Sequence, residues 1–213
     1  DNRTVSKTSV TNEILLALKH FQLSQKQLKN LIIYGFKRSF FPDTYSYSPG
    51  TKDFAILEQA YRAMRSRLES AWAERASDTP LRSADEALIL ASIVEKETGA
   101  AAERSLIAAV FVNRLRAGMP LQTDPTVIYG LGNRFDGNLR KRDLLSDTPF
   151  NTYTRGGLPP TPIAMPGNDS LLAAVRPGQT KALYFVSRGD GSSHFSETLA
   201  AHNRAVDKYQ RRR

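Results

Sequence analysis

The sequence of 213 residues contains no cysteine and only three histidines. The absence of cysteine excludes disulfides, thiolate nucleophiles and cysteine-based zinc or iron–sulfur sites. His20, His194 and His202 are widely separated and lack the His-x-x-x-His spacing of a helical zinc site. No apolar run reaches the ~18 residues that a membrane-spanning helix needs. The sequence therefore predicts neither a metal centre nor a membrane span within this chain.

The residues that are present have the composition of a folded globular protein. Hydrophobic residues make up 40% and charged residues 24% of the chain, and the formal net charge is +9. The basic residues are dispersed apart from Arg211–Arg213, and no aromatic-rich stacking platform accompanies them. We therefore favour an ordinary solvated surface and expect no nucleic-acid partner. An anionic cell-envelope polymer is a less favoured reading of the charge.

Apolar spacing and capping signals predict a mainly helical α+β fold. A capping box at Ser83–Glu86 and a stop at Gly99 mark the second main helix. Strands at Ala182–Ser187 and Ser193–Phe195 would form a small hairpin. Leu121–Gly167 is rich in Gly, Pro, Thr and Asn and is predicted to form long functional loops. The predicted helices are Asn12–Phe21, Gln25–Ile33, Asp53 to about Ala76, Ala87–Thr98, Ala101–Arg116, Asp169–Val175 and a last helix, capped by Ser196, running to about Gln210.

Two carboxylates in the last turn of the Ala87–Thr98 helix are the strongest chemical signal in the sequence. Acids are unfavourable at the negative end of a helix dipole. At about 100° per residue, Glu95 and Glu97 point to opposite sides, and Glu97 lies over the larger apolar residues. Burial there predicts a raised pKa for Glu97, as a general acid requires. The alternative is that both glutamates are exposed at a frayed end, or that Glu97 pairs with Arg104.

Two segments of the predicted loop region place amide, hydroxyl and aromatic groups together, as sugar-binding loops do. The first runs from Leu121 to Gly130 and the second from Asn151 to Pro160. Turn chemistry alone explains such residues equally well. Asp124 is a candidate second carboxylate for glycoside cleavage, although an aspartate before proline is also a routine turn residue.

These segments occur in an order that resembles the endolytic murein transglycosylase family, called MltG or YceG-like. The residues that carry the resemblance are ASIVEKET at 91–98, VFVNRL at 110–115, LQTDPTVIYG at 121–130, Tyr153 with GLPP at 157–160, LYFV at 183–186, His202-Asn203 and FPDTY at 41–45. The resemblance covers residues 36–213, which we expect to form the catalytic domain with a lysozyme-like active-site helix. Residues 1–35 match weakly and are expected to be a short helical lead-in.

The resemblance implies an enzyme that cuts the β-1,4 bond between N-acetylmuramic acid and N-acetylglucosamine within peptidoglycan strands. The product would carry a 1,6-anhydromuramic end, and the reaction would use no water, metal or cofactor. Glu97 aligns with the family's essential glutamate. The residues expected to line the sugar cleft are Gln122, Asp124, Tyr129, Asn151, Tyr153 and Tyr45.

The resemblance also implies a place in the bacterial envelope. Such proteins are anchored in the inner membrane by a segment upstream of the catalytic part, which faces the periplasm. They act beside the peptidoglycan synthases, the penicillin-binding proteins, and a role in ending nascent glycan strands is a hypothesis. Two other functions stay open at this point. One is a muramidase-type hydrolase that uses Asp124, and the other is a non-catalytic module that binds peptidoglycan.

Overall fold

The computed structural model describes residues 51–211. The two helices predicted before residue 35, the boundary predicted between residues 35 and 36, and Tyr45 with its aromatic loop all lie outside the described residues. The described residues belong to two compact units, divided in the chain between Ser70 and Ala71. All of the site residues discussed below lie in the second unit.

The fold is α+β and mainly helical, as predicted, with one small antiparallel hairpin in the described part. Short 3-10 turns are formed by Ala101–Glu103 and Gly132–Arg134. The elements are α1 (Asp53–Ala73), α2 (Ala84–Glu97), α3 (Arg104–Arg116), α4 (Asp124–Leu131), α5 (Lys141–Leu145), α6 (Asn168–Val175), β1 (Tyr184–Ser187), β2 (Ser193–Ser196) and α7 (Leu199–Tyr209).

The α1 helix confirms the predicted helix but ends at Ala73 rather than near Ala76. Arg75 accounts for the earlier end, because its Nη1 donates to the carbonyl of Trp72 at 3.0 Å. Its guanidinium also lies over the Trp72 ring, 4.4 Å from the centroid. A basic side chain that satisfies a terminal carbonyl is a common way to end a helix.

The α2 helix begins at Ala84, directly after Ser83, the residue that the sequence predicts as its cap. Ser83 Oγ accepts from the amide of Glu86 at 3.2 Å, and Glu86 Oε2 accepts from the amide of Arg82 at 2.7 Å. The helix ends at Glu97, where Thr98 takes an extended conformation. Its middle is buried all round, as the sequence predicts for a core helix.

The core of the second unit lies where α2 packs against α3 and α6. Leu90, Ile93, Phe111 and Leu171 are at most 1% exposed. Burying a side chain of this size contributes roughly 1.5–3 kcal/mol to folding. Ser92, also fully buried, donates to the carbonyl of Ile89 and accepts from the amide of Ile163, so its hydroxyl fixes the loop that precedes α6.

The stretch predicted as long loops, Leu121–Gly167, contains the helices α4 and α5. The sequence predicts a turn at Pro125. In the structure Pro125 occupies the first turn of α4, where a missing N–H costs nothing. Gly130 lies inside α4 because a Cβ there would come within 3.0 Å of Thr148 Oγ1 and 3.2 Å of Phe150 Cβ. Both residues therefore fit inside or at the start of a helix here, although in the sequence they look like loop residues.

The hairpin confirms both predicted strands, with Val186 opposite His194 across the ladder. The predicted cap of the last helix is wrong: Ser196 is the final residue of β2, and Thr198 caps α7 by accepting from the amide of Ala201 at 3.2 Å. The α7 helix packs on both strands. This packing brings one face of α7 towards the cavity that contains Glu97.

Candidate active site

A cavity of about 630 Å³ in the second unit collects side chains from helices, a strand and a loop. Glu97 reaches it from the last turn of α2, and Asp124 from the first turn of α4. The polar residues that line it are Glu97, Arg114, Gln122, Asp124, Tyr153, Tyr184, Ser187, His202 and Gln210. A cavity with convergent polar groups is the usual form of a small-molecule or polymer site.

Glu97 is held in place by a hydrogen bond from Thr123, whose Oγ1 donates to Glu97 Oε1. Thr123 is only 1% exposed. Its amide donates to Thr152 Oγ1 at 3.0 Å, and its carbonyl accepts from Thr126 Oγ1 at 2.7 Å. No described residue donates to Glu97 Oε2. That oxygen is therefore the one available to carry a proton.

Burial raises the pKa of Glu97 above its usual value, as the sequence predicted. The negative charge of Asp124 raises it further, while the hydrogen bond from Thr123 opposes the shift by stabilising the carboxylate. Arg104 does not pair with Glu97; its ion pair is with Asp169, at 3.4 Å. A partly buried carboxyl whose pKa is raised has a property that a general acid working near neutral pH requires.

Tyr153 and Asp124 form a second polar pair in the cavity. The Tyr153 hydroxyl donates to Asp124 Oδ1 at 2.5 Å. Burial, followed by the hydrogen bond and charge of Asp124, raises the pKa of Tyr153 far above its usual value. The phenol is therefore neutral at any physiological pH. Its oxygen can accept a hydrogen bond from a ligand while its proton is held by Asp124.

Gln122 adopts a left-handed backbone conformation, with φ of 53°. Such a conformation costs a non-glycine residue roughly 1–2 kcal/mol. It is maintained here by a hydrogen bond from the Gln122 amide to the carbonyl of Thr152 at 3.1 Å. The sharp turn leaves Gln122 exposed at the cavity between two buried neighbours, Leu121 and Thr123.

Of the predicted cleft residues, Gln122, Asp124 and Tyr153 line the same cavity as Glu97. The structure does not place Tyr129 or Asn151 there. Tyr129 is 5% exposed and packs against Phe150, with ring centroids 4.7 Å apart. Tyr45 lies outside the described residues.

Asn151 has a structural role and does not line the cavity. It is fully buried, and its Nδ2 donates to the carbonyls of Asp143, Leu144 and Ser146 at 2.7–3.3 Å. Its Oδ1 accepts from the amide of Tyr153 at 2.8 Å. The buried amide therefore folds the loop that presents Tyr153.

Four cavity or positioning residues were missed as site residues in the sequence: Arg114, Thr123, Tyr184 and His202. All four stand in the segments that carry the family resemblance, which points to no role for any of them. The rings of Tyr184 and His202 stack at 5.3 Å, at an angle of 25°. Burial and the positive charge of Arg114 lower the pKa of His202, which keeps the imidazole neutral.

Glu95, on the opposite side of α2, ties this helix to α6. Its Oε2 accepts from the amide of Gly167 at 3.0 Å and from Ser170 Oγ at 2.6 Å. Charge-assisted hydrogen bonds of this kind contribute roughly 1.5–3 kcal/mol each before the cost of desolvation. The two glutamates thus have different environments, as the helical spacing predicted.

We expect Glu95→Gln to lower the free energy of unfolding by about 1–2 kcal/mol and to leave activity per folded molecule unchanged, because a neutral amide is a weaker acceptor than a carboxylate. Chemical denaturation and an activity assay on the same preparation measure both quantities. Loss of activity without loss of stability would contradict the structural role of Glu95.

No group of three or more His, Asp or Glu residues between 51 and 211 is arranged to hold a metal ion. In the same part of the chain, no helix combines the length and apolarity that crossing a membrane requires.

A carboxyl of raised pKa in a polar cavity is an arrangement that a general acid requires. The model of the YceG-like family matches residues 2–208, so the chain belongs to that family. A crystal structure of a YceG-like protein from Listeria monocytogenes superposes with a TM-score of 0.67 at 29% identity. The superposition covers 95% of this chain and 65% of that one.

Curated relatives carry a more specific name. A Bacillus subtilis protein named endolytic murein transglycosylase is 41% identical over 170 residues, which are 79% of this chain and 46% of the relative. A Streptococcus pneumoniae protein of the same name is 30% identical over 174 residues, which are 79% of this chain and 31% of the relative. The chain thus spans less than half the length of these curated relatives.

Proposed function

We propose that this chain is the catalytic part of an endolytic peptidoglycan lytic transglycosylase. It would cut the bond between N-acetylmuramic acid and N-acetylglucosamine within glycan strands, without water, and leave 1,6-anhydromuramic ends. The observation that carries the proposal is the position of Glu97, a carboxyl of raised pKa in a cavity lined by polar and aromatic side chains. The names of the curated relatives support the same reaction.

The reaction needs one carboxyl group that acts first as an acid and then as a base. Protonated Glu97 gives its proton to the glycosidic oxygen, and the electron pair of the C1–O bond leaves with that oxygen. The Glu97 carboxylate then takes the proton of the muramic 6-hydroxyl while that oxygen forms a bond to C1. The carboxyl ends protonated, as it began, and the strand is cut without addition of water.

The intramolecular nucleophile explains why a second catalytic carboxylate is not required. A hydroxyl held on the same ring has a high effective molarity compared with a water molecule. A well-placed acid and base contributes roughly 10²–10⁴-fold to the rate. The hydrogen bond from Thr123 serves the second half of the cycle, because it stabilises the carboxylate that must form.

The remaining cavity residues are proposed to bind the sugars. Tyr153 and Gln122 offer a phenol oxygen and an amide that can exchange hydrogen bonds with ring substituents. The stacked rings of Tyr184 and His202 offer flat surfaces for a pyranose. Asp124 holds Tyr153 and keeps a negative charge near Glu97, which favours the protonated acid.

The chemical state of the new chain ends tests the proposed reaction. Uncrosslinked glycan strands incubated with the protein are treated with labelled borohydride, which reduces a free reducing end but not a 1,6-anhydro end. We expect shorter strands without new label, and internal cuts that lower the average length early in the reaction. New reducing ends would instead indicate a hydrolase that uses Asp124 or a held water.

The pH dependence is expected to follow the protonation of Glu97. Activity requires the protonated acid, so kcat/KM falls as the pH rises through the pKa of Glu97 in the free enzyme. Asp124→Asn removes a charge that raises this pKa, so the fall should move to lower pH. Thr123→Val removes a hydrogen bond that lowers this pKa, so the fall should move to higher pH. Shifts in the same direction, or none, in pH profiles of the two variants would contradict the assignment.

The cellular role is proposed by extension from the reaction. The substrate would be peptidoglycan in the cell envelope, where cutting beside the peptidoglycan synthases would end nascent glycan strands. The membrane anchor expected from the resemblance stays a prediction. Deletion of the gene should lengthen the glycan strands of isolated sacculi, and an unchanged length distribution would count against the role in strand termination.

A further inference from the structure

Arg114 is a buried cation in the wall of the cavity. The residue is 7% exposed and stands in α3. Its Nε donates to the carbonyl of Leu183 at 2.7 Å, and its Nη1 donates to the carbonyls of Pro120 and Leu121 at 3.0 Å each. Nη1 also lies 3.2 Å from Gln122 Oε1. These contacts fix the plane of the guanidinium group.

None of these acceptors carries a charge. Within residues 51–211 no carboxylate forms an ion pair with Arg114, and the neighbouring phenol of Tyr153 is neutral. Arginine stays protonated in proteins, so burial does not remove its charge. Buried charges are normally paired, and a buried cation without an anionic partner is costly.

The position of Nη2, the remaining guanidinium nitrogen, indicates where a partner of Arg114 would bind. Nη2 makes no hydrogen bond to a described residue. It is not fully buried, so it is accessible. Arg114 lines the cavity that contains Glu97 and Gln122. Cζ also lies over the Tyr184 ring, 5.1 Å from its centroid.

We propose that Arg114 binds a carboxylate of the glycan substrate beside the bond that is cut. The proposal deepens the proposed function and rests on it. A muramic residue carries a lactyl group, whose carboxylate is free in strands without peptides, and a peptide stem supplies carboxylates when it is present. The unengaged Nη2 group can donate charge-assisted hydrogen bonds to a carboxylate oxygen, and a singly charged anion supplies the direct partner that this buried guanidinium lacks. Glu97 and Asp124 in the same cavity disfavour a more highly charged anion.

Binding of disaccharides tests the carboxylate directly. The probe is N-acetylglucosamine linked β-1,4 to N-acetylmuramic acid, which lacks the bond that the proposed reaction cuts, so binding is measured without turnover. Four forms are titrated calorimetrically into the full chain: the free lactyl acid, its methyl amide, the disaccharide with a stem peptide, and the same compound with every peptide carboxyl amidated. The expected result is that one acid binds roughly ten- to a hundredfold more tightly than its amide, about 1.4–2.8 kcal/mol at 1.4 kcal/mol per tenfold.

The pair that shows the difference identifies the source of the carboxylate. Preference for the lactyl acid assigns Arg114 to peptide-free strands, and preference for the free peptide acid assigns it to strands with stems. Equal affinity within both pairs would overturn the proposal.

Variants assign the preference to the residue. Arg114→Gln should bind the acid and its amide with equal affinity. The matched control is Arg116→Gln, two residues along the chain, which removes an exposed guanidinium bound to Asp78 and should keep the preference for the acid. A preference that survives Arg114→Gln would overturn the assignment. If Arg114→Gln fails to fold, nitrogen-15 NMR of the arginine side chains in the parent protein replaces it. One buried Nε–H signal should then shift with the acid and not with the amide, and an unmoved signal would overturn the assignment.

The two proposals fail separately in these experiments. Cleavage to anhydro ends without an acid preference would refute the role of Arg114 alone. An acid preference in a protein that leaves reducing ends would refute the lytic reaction alone.

Discussion

Glu97→Gln is expected to lower the rate of strand cleavage by roughly 10²–10⁴-fold, the usual contribution of a general acid and base. Glutamine has the same shape and can still accept the hydrogen bond from Thr123, but it has no proton to give to the glycosidic oxygen. The measurement is the initial rate of cutting on uncrosslinked strands, with Glu95→Gln as the matched variant two residues away. A Glu97→Gln protein that cuts at the parent's rate would refute the proposed role.

The same substitution should not destabilise the fold. Glu97 has a raised pKa in the folded state, so its contribution to stability is fully present below its unfolded pKa. That contribution is lost as the pH rises through the folded pKa, because a buried carboxylate must then form. Glutamine cannot ionise, and above this pH the variant should be at least as stable as the parent in denaturant titrations. A large loss of stability would mean that inactivity reflects misfolding.

Asn151→Ala is expected to lower the free energy of unfolding by about 3 kcal/mol, because buried carbonyls that lose their donor cost roughly 1–3 kcal/mol each. In a protein of this size such a loss corresponds to a drop in Tm of roughly 6–12 °C. The reason is that Asn151 donates to three carbonyls of the α5 region and accepts from the amide of Tyr153.

Calorimetric or optical melting of Asn151→Ala distinguishes the structural role from sugar binding. The exposed residue Asn138 provides the matched control, since Asn138→Ala should leave the melting temperature nearly unchanged. If Asn151→Ala melted like the parent but bound glycan more weakly, Asn151 would be a sugar-binding residue, as the sequence first suggested.

The α2 helix shows how far local patterns can predict a site. Helical geometry and apolar neighbours were sufficient to separate Glu97 from Glu95 and to predict the direction of the Glu97 pKa. The hydrogen bond from Thr123 could not be predicted in the same way, because it joins residues 26 positions apart. A threonine just before a helix is normally read as a cap, whereas the Thr123 hydroxyl is directed to Glu97 instead.

The α4–α5 region shows why part of the cleft was predicted wrongly. Pro125, Gly130 and Asn151 have the identity of turn residues, but their roles depend on what surrounds them. Pro125 starts a helix, Gly130 permits a close approach, and Asn151 is buried among carbonyls. The sequence contains no local signal that separates an asparagine that folds a loop from one that binds a sugar.

Arg114 and His202 are cavity residues that the sequence did not predict. Both belong to helices, and the packing of α3, β1 and α7 brings them to one cavity. Contacts of this kind depend on the packing of elements distant in the chain. The family resemblance contained both residues, although it assigned a role to neither.

Mass spectrometry of glycan products from the parent and from Glu97→Gln tests the central claim most directly. Uncrosslinked strands are incubated with each protein, and the masses of the new ends are compared with those of a muramidase digest. We expect the parent to give products one water lighter than the hydrolytic ones, and Glu97→Gln to give almost none. Hydrated ends from the parent, or anhydro ends from Glu97→Gln at the parent's rate, would contradict an acid–base cycle centred on Glu97.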